Sequence, residues 1–199
     1  IALAATGMGS LLLWVIMSMG IGLRTAVQTV TSRRLGQKLF PECGHALHNG
    51  VILSVFLAIP ATLLGTYYSV GIAELFLQDP EVIPQCANYL YVGFYGIFFV
   101  LVGFAFQGFY TGVEQTKIHM KVTIVSNIIN VYLNAGLIYG TDGVRAFFEK
   151  IGLPWIAVLW QWYDFPAMAV KGAALATVIA SGWMITQYVI HILNEKIIK

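Results

Sequence analysis

Long uncharged stretches separated by short polar links dominate the chain. A bilayer core about 30 Å thick takes roughly 20 residues of helix at about 1.5 Å each, so stretches of that length predict membrane spans. They run from about Ala2 to Ser32, interrupted only by Arg24; from Gly44 to Ser69, containing Pro60; from Pro84 to Gly112; from Lys121 to Gly140; and from Gly172 to Asn194. The pattern therefore predicts an all-α, polytopic membrane helix bundle, a single transmembrane domain over residues 1–199. Asp79-Pro80-Glu81 marks the start of the third span, with Asp79 as N-cap and Pro80 at the first helical position.

Residues 141–170 break the pattern, because their apolar run Leu153–Trp160 is too short to cross. They carry Phe147, Phe148, Trp155, Trp160, Trp162, Tyr163 and Phe165, aromatics that favour the headgroup layer, and read as an extracytoplasmic loop lying partly flat on the membrane. Basic residues orient the bundle. Arg33, Arg34, Lys38, Lys117, Lys121, Lys196 and Lys199 fall on one side against Arg145, Lys150 and Lys171 on the other, which places the link after the first span in the cytoplasm. An odd number of spans and a first residue other than methionine suggest a piece of a longer multi-pass protein of the cell membrane.

Composition narrows the function. Soluble domains are about 45–50% apolar and about 25% charged; this chain is 58% hydrophobic and 10% charged, with a mean hydropathy of +0.78. Too few charges are present to coat a water-soluble enzyme of this size. A net charge of +2, dispersed along the chain, excludes a nucleic-acid partner, which needs a basic face. Two cysteines, Cys43 and Cys86, define no disulfide framework.

Polar residues inside spans are costly in hydrocarbon and mark cavities or helix seams. Thr123, Asn127, Asn130 and Asn134 share one face of the fourth span. Interhelical hydrogen bonds return only about 0.6 kcal/mol each, so so many amides favour a lined cavity over a seam. In the first span Arg24, Gln28 and Ser32 repeat at i, i+4, i+8. A membrane boundary at Arg33 buries Arg24 by about 13 Å, whereas one near Gln28 lets it reach the headgroups. Arg24 and Gln28 are thus candidates to meet an anionic or polar substrate. Gly172, Ala176 and Ala180 have the small-residue spacing of close helix packing, and Thr177 and Ser181 lie on the adjacent face. Pro60 and Gly7, Gly9, Gly20 and Gly22 are hinge or packing positions. Cys43, His45 and His48 with Glu42 lack a recognised zinc spacing, and His119 and His191 read as interfacial. No P-loop, G-x-S-x-G or H-E-x-x-H occurs, and no paired carboxylates or nucleophile with base lie at membrane depth, so no enzyme and no cofactor is expected.

Several segments, in order, resemble signatures of the multidrug and toxic compound extrusion (MATE) transporters, within the superfamily that includes oligosaccharide-lipid and polysaccharide flippases. Gly20-Ile21-Gly22 leading into Thr31-Ser32-Arg33-Arg34-Leu35-Gly36 is similar to the end of that family's second helix. Asp79-Pro80-Glu81-Val82 and Phe106-Gln107-Gly108-Phe109-Tyr110-Thr111-Gly112 resemble the start and end of its fourth. Asn127-Ile128-Ile129-Asn130-Val131-Tyr132-Leu133-Asn134 and Gly172-Ala173-Ala174-Leu175-Ala176-Thr177 resemble helices five and six. The aromatic excursion resembles an insertion.

The resemblance implies helices two to six of an amino-terminal six-helix lobe, with a first helix and a second lobe as partners. It further implies export of amphipathic or cationic small molecules from the bilayer against inward flow of protons or sodium. The implied coupling site joins an aspartate on the first helix to an asparagine, an aspartate and a threonine on helices five and six. Asn130 and Thr177 match, whereas Asn134 stands at the aspartate position, and an amide carries no titrating proton. Tyr91 and Tyr95 are candidate stacking surfaces for a cation. The alternatives are a lipid-linked oligosaccharide or polysaccharide flippase, whose diphosphate Arg24 would suit, and a non-transporting membrane scaffold.

Overall fold

The computed structural model describes residues 2–194. It is all-helical: α1 (Ala2–Gly36), α2 (Phe40–Tyr67), α3 (Ser69–Phe76), α4 (Val82–Gly112), α5 (Thr116–Lys150), a short 3-10 helix (Pro154–Trp160) and α6 (Val170–Asn194). Among the described residues, five helices are long and apolar enough to cross a membrane: α1, α2, α4, α5 and α6. Each of the five expected spans is found. Lys196 and Lys199, two of the charges used to orient the bundle, lie outside the described residues.

Helix α4 is the spine, packed against α1, α2, α3 and α6. Its apolar window is 56% buried against 22–28% for the other spans. Close approach comes from glycines that leave room for a neighbouring chain. A Cβ at Gly108 would strike the Arg24 carbonyl, one at Gly112 would meet the Gln28 carbonyl at 2.9 Å, and one at Gly93 would strike Leu13. These contacts fix the register of α1 on α4. Gly9 and Gly20 of α1 pack in the same way on Tyr89 and on Leu101 and Phe104, whereas Gly7 and Gly22 face open space. Helix α1 runs unbroken through all four glycines, and α2 through Pro60.

Helix boundaries differ from the sequence expectation for identifiable reasons. Glu81, not Asp79, holds the N-cap position of α4; Asp79 lies three residues before Val82 and accepts the Glu81 backbone N–H on Oδ1 at 2.9 Å, with Pro80 in that turn rather than in the helix. Helices α2 and α5 begin at Phe40 and Thr116, ahead of Gly44 and Lys121, because charged residues at a helix end need not leave the helix.

The larger difference is at Gly140. The span does not end there: the backbone kinks at φ 73°, ψ 168°, and helix resumes to Lys150. That left-handed φ is one that glycine adopts without steric penalty. The kink frees backbone groups, and the chain returning toward α6 takes them up. Met168 N–H donates to the Leu137 carbonyl at 2.8 Å, Ala169 N–H to Ile138 at 3.3 Å, and Thr141 N–H to Phe165 at 3.2 Å. Irregular backbone in an apolar setting persists where such partners exist.

The aromatic excursion accordingly folds onto α5 as well as outward. Trp160 and Phe165 are buried with Leu137, Val144 and Ala176. Tyr132 is the hub: its ring stacks on Trp160 with centroids 4.8 Å apart, its backbone carbonyl accepts Trp160 Nε1–H at 2.9 Å, and its hydroxyl donates to the Leu159 carbonyl at 2.5 Å while accepting Trp162 Nε1–H. Phe147, Trp155, Trp162 and Tyr163 remain exposed.

Candidate functional site

The polar face of α5 divides into three parts. Nearest the kink, Asn134 Nδ2–H donates to Asn130 Oδ1 at 2.9 Å, and Asn130 Nδ2–H reaches Thr177 Oγ1 on α6 at 3.5 Å. Thr177 in turn donates to the Ala173 carbonyl at 3.1 Å. Residues 47 positions apart in sequence meet here because small side chains bring α6 against α5: a Cβ at Gly172 would strike the Leu137 carbonyl, and Ala176 and Ala180 are buried. The three residues expected to act together do meet.

Asn127 does not join them. It is exposed and contributes to a cavity of about 680 Å³ whose walls are apolar, among them Ile128, Val131, Tyr132, Phe147 and Trp160. Of the four residues on this face, Asn127 alone borders this cavity. Thr123 belongs to a third group, in which His119 Nδ1 lies 3.3 Å from Thr123 Oγ1 and 2.6 Å from the hydroxyl of Tyr188 on α6. The fully buried Tyr188 ring stacks against Phe106 and Tyr110 of α4, and the Tyr110 hydroxyl donates to the Tyr188 carbonyl at 3.3 Å. His119, expected at the interface, is a half-buried tie between α5 and α6. Its partner lies 69 residues away, so no local pattern announces it.

A groove separates α1 from α6, which scarcely touch each other, and α4 forms its floor. One cavity along it, about 470 Å³, lies between Thr6 and Ser10 of α1, Tyr89 of α4 and Ala173 of α6. The next, about 170 Å³, is walled by Leu13, Trp14 and Met17, floored by Gly93, Gly96 and Val100, and bordered by Thr177. The amide pair of α5 therefore connects through Thr177 to the groove.

Arg24 and Gln28 stand farther along α1, half-buried. The contact of Gly108 with the Arg24 carbonyl places Arg24 about 6 Å, one turn, inside the end of α4 at Gly112. Tyr91 and Tyr95 lie apart from all of this. They meet edge to face with hydroxyls 3.3 Å apart, and Tyr95 faces Ile59, Thr62 and Leu63 of α2. In the segment weighed as a metal site, Glu42 pairs with Arg34 at 2.7 Å and the buried Cys43 thiol faces the Thr31 and Leu39 carbonyls.

The chain is 23% identical over 194 residues to the probable multidrug resistance protein NorM of Synechocystis sp., covering 98% of this chain and 37% of that protein. It is 24% identical over 180 residues to the probable multidrug resistance protein YoeA of Bacillus subtilis, covering 90% and 34%. A probable multidrug resistance protein NorM of Oceanobacillus iheyensis is 28% identical over 146 residues, covering 73% and 32%. The chain thus spans about a third of the length of these relatives. No solved structure gives a significant match. The family model MatE matches residues 1–135, more than half of the chain, and the chain belongs to the MatE family.

Proposed function

We propose that the chain is part of a secondary active exporter of the cell membrane, moving amphipathic or cationic small molecules outward against protons or sodium flowing inward. Relatives named as probable multidrug resistance proteins support the substrate class. The observation that carries the reading is the linked set Asn134, Asn130 and Thr177 at the edge of the α1–α6 groove. A hydroxyl at the wall of a groove, linked to two amides behind it, suits a polar ligand or a hard cation, whereas a helix seam would exclude one. The missing part of the cavity and the coupling carboxylate belong to helices of the longer protein, since Asn134 offers no proton.

Full-length protein in vesicles tests this. Export of a fluorescent cationic amphiphile should collapse when the imposed proton and sodium gradients are both removed. No movement under either gradient would end the proposal. Cysteines placed singly at Asn130 and Asn134 should react with water-soluble thiol reagents, and inertness at both would favour a scaffold. A flippase draws support from Arg24 alone; in that case Arg24→Ala abolishes lipid movement and leaves cation export intact.

A further inference from the structure

We propose that Arg24, Gln28 and Gln107 form a subsite for an oxyanion, a carboxylate or a phosphate, at the end of the α1–α6 groove remote from Ala173; the inference rests on the reading of that groove as a ligand path. The first argument is register. Ser10, Trp14 and Met17 of α1 border the groove, and steps of seven residues, two helical turns, carry the same face from Met17 to Arg24 and from Trp14 through Ile21 to Gln28. On α4 the floor residue Val100 is followed after seven residues by Gln107. Gly108 against the Arg24 carbonyl and Gly112 against that of Gln28 then hold these two parts of α1 beside Gln107.

The second argument is that these donors lack partners. Arg24, Gln28 and Gln107 are half-buried, and no side-chain hydrogen bond or ion pair engages any of them among the described residues. The acids of this end are occupied or turned outward. Glu42 is paired with Arg34, and Glu114 is exposed in the turn after α4. Near this end α5 and α6 carry His119, Thr123 and the fully buried Tyr188, none of them a carboxylate. A guanidinium partly withdrawn from water without a counter-charge is costly. A guanidinium's planar fork and side-chain amide N–H groups are the donors an oxyanion takes. Such a group could come from a solute with a carboxylate or from a lipid phosphate, because Arg24 lies only one turn inside the end of α4.

The test uses the full-length transporter in phosphatidylcholine vesicles with Ile21→Cys as reporter, since Ile21 is 42% exposed on the same face and belongs to no part of the subsite. Labelling by a water-soluble methanethiosulfonate is followed alone, with octanoate, with methyl octanoate, and with phosphatidic acid mixed into the vesicles. Octanoate or phosphatidic acid should slow labelling about tenfold, and adding Arg24→Gln should abolish that protection while Arg24→Lys keeps part of it. Protection by octanoate identifies a solute, and protection by phosphatidic acid a lipid. Protection by neither, equal protection by the methyl ester, or protection that survives Arg24→Gln overturns the subsite. Gradient-driven export of a cationic amphiphile is measured on the same vesicles. Export without anion protection removes this inference alone, whereas protection without export removes the transport reading.

Discussion

Helices α4 and α5 are of similar length, yet they solve opposite problems. Helix α4 is surrounded on several sides, and its glycines at 93, 108 and 112 admit side chains and carbonyls of α1 where a Cβ would collide. Helix α5 scarcely touches α4, leans on α6, and is kinked at Gly140. Polar chemistry follows the second helix. A helix enclosed by neighbours gains most from small and apolar residues, since there is little room for an amide with no partner. One packed on a single side has faces left over for amides, a cavity and a returning loop. The difference separates an enclosed spine from an arm packed on one side.

Gly108→Ala should give the largest effect. The new methyl would meet the Arg24 carbonyl and the Val27 Cβ of α1, neither of which can swing aside, and overpacking of this kind costs about 1–3 kcal/mol. Thermal unfolding in detergent measures it. Ile128→Ala on α5, at a side chain 63% exposed, should change stability by less than about 0.5 kcal/mol. A large loss at Ile128 would show that this face of α5 is covered by another part of the full transporter, and would break the contrast between the two helices.

Gly140→Ala comes next. A positive φ with extended ψ is a backbone essentially confined to glycine and costs a residue with a Cβ about 1–3 kcal/mol, and the new methyl would also crowd the Phe165 carbonyl at 3.1 Å and Ala167 at 3.2 Å. The loss should appear as faster proteolysis within 141–170 before any loss of the α1–α4 contact. Simultaneous loss of both would mean that spine and arm unfold as one.

How much of this the sequence revealed depends on the distance over which each feature is encoded. The five spans and the small face of α6 are local patterns, read within a few turns. The meeting of Asn130, Asn134 and Thr177 follows from a local amide spacing plus the family resemblance. The kink was hidden, because Gly140 at the end of an apolar run is as good a helix end as a bend; only the amides of Met168 and Ala169, arriving from beyond the excursion, make the bend tenable. The docking of Trp160 on Tyr132 and of Tyr188 on His119 also joins distant segments, and an aromatic near a span end reads the same whether it faces lipid or another helix.

Tyr132→Phe probes that docking with a smaller change. It keeps the ring stacked on Trp160 and the backbone bond to Trp160, but removes the hydroxyl that donates to Leu159 and accepts from Trp162. The expected loss is about 1 kcal/mol, with a red shift of tryptophan emission as Trp162 becomes freer. An unchanged spectrum would show that the hydroxyl does not hold the excursion against α5.

Asn134→Asp should alter the fold least and the function most informatively. Asn134 now donates to Asn130 Oδ1, which leaves Asn130 Nδ2–H directed at Thr177. A protonated carboxyl preserves that donation, whereas an ionised one has no hydrogen to give and competes with Thr177 for the Asn130 amide. The variant therefore has two hydrogen-bonded arrangements selected by pH, while the wild type has one. Its stability should stay within about 1 kcal/mol of wild type, and its export rate should acquire a dependence on pH over the range in which the introduced carboxyl titrates. Identical pH profiles for variant and wild type would show that this stretch of α5 does not face the transported ion, and would make the amide pair a fastening between α5 and α6, closer in kind to the packing of α4.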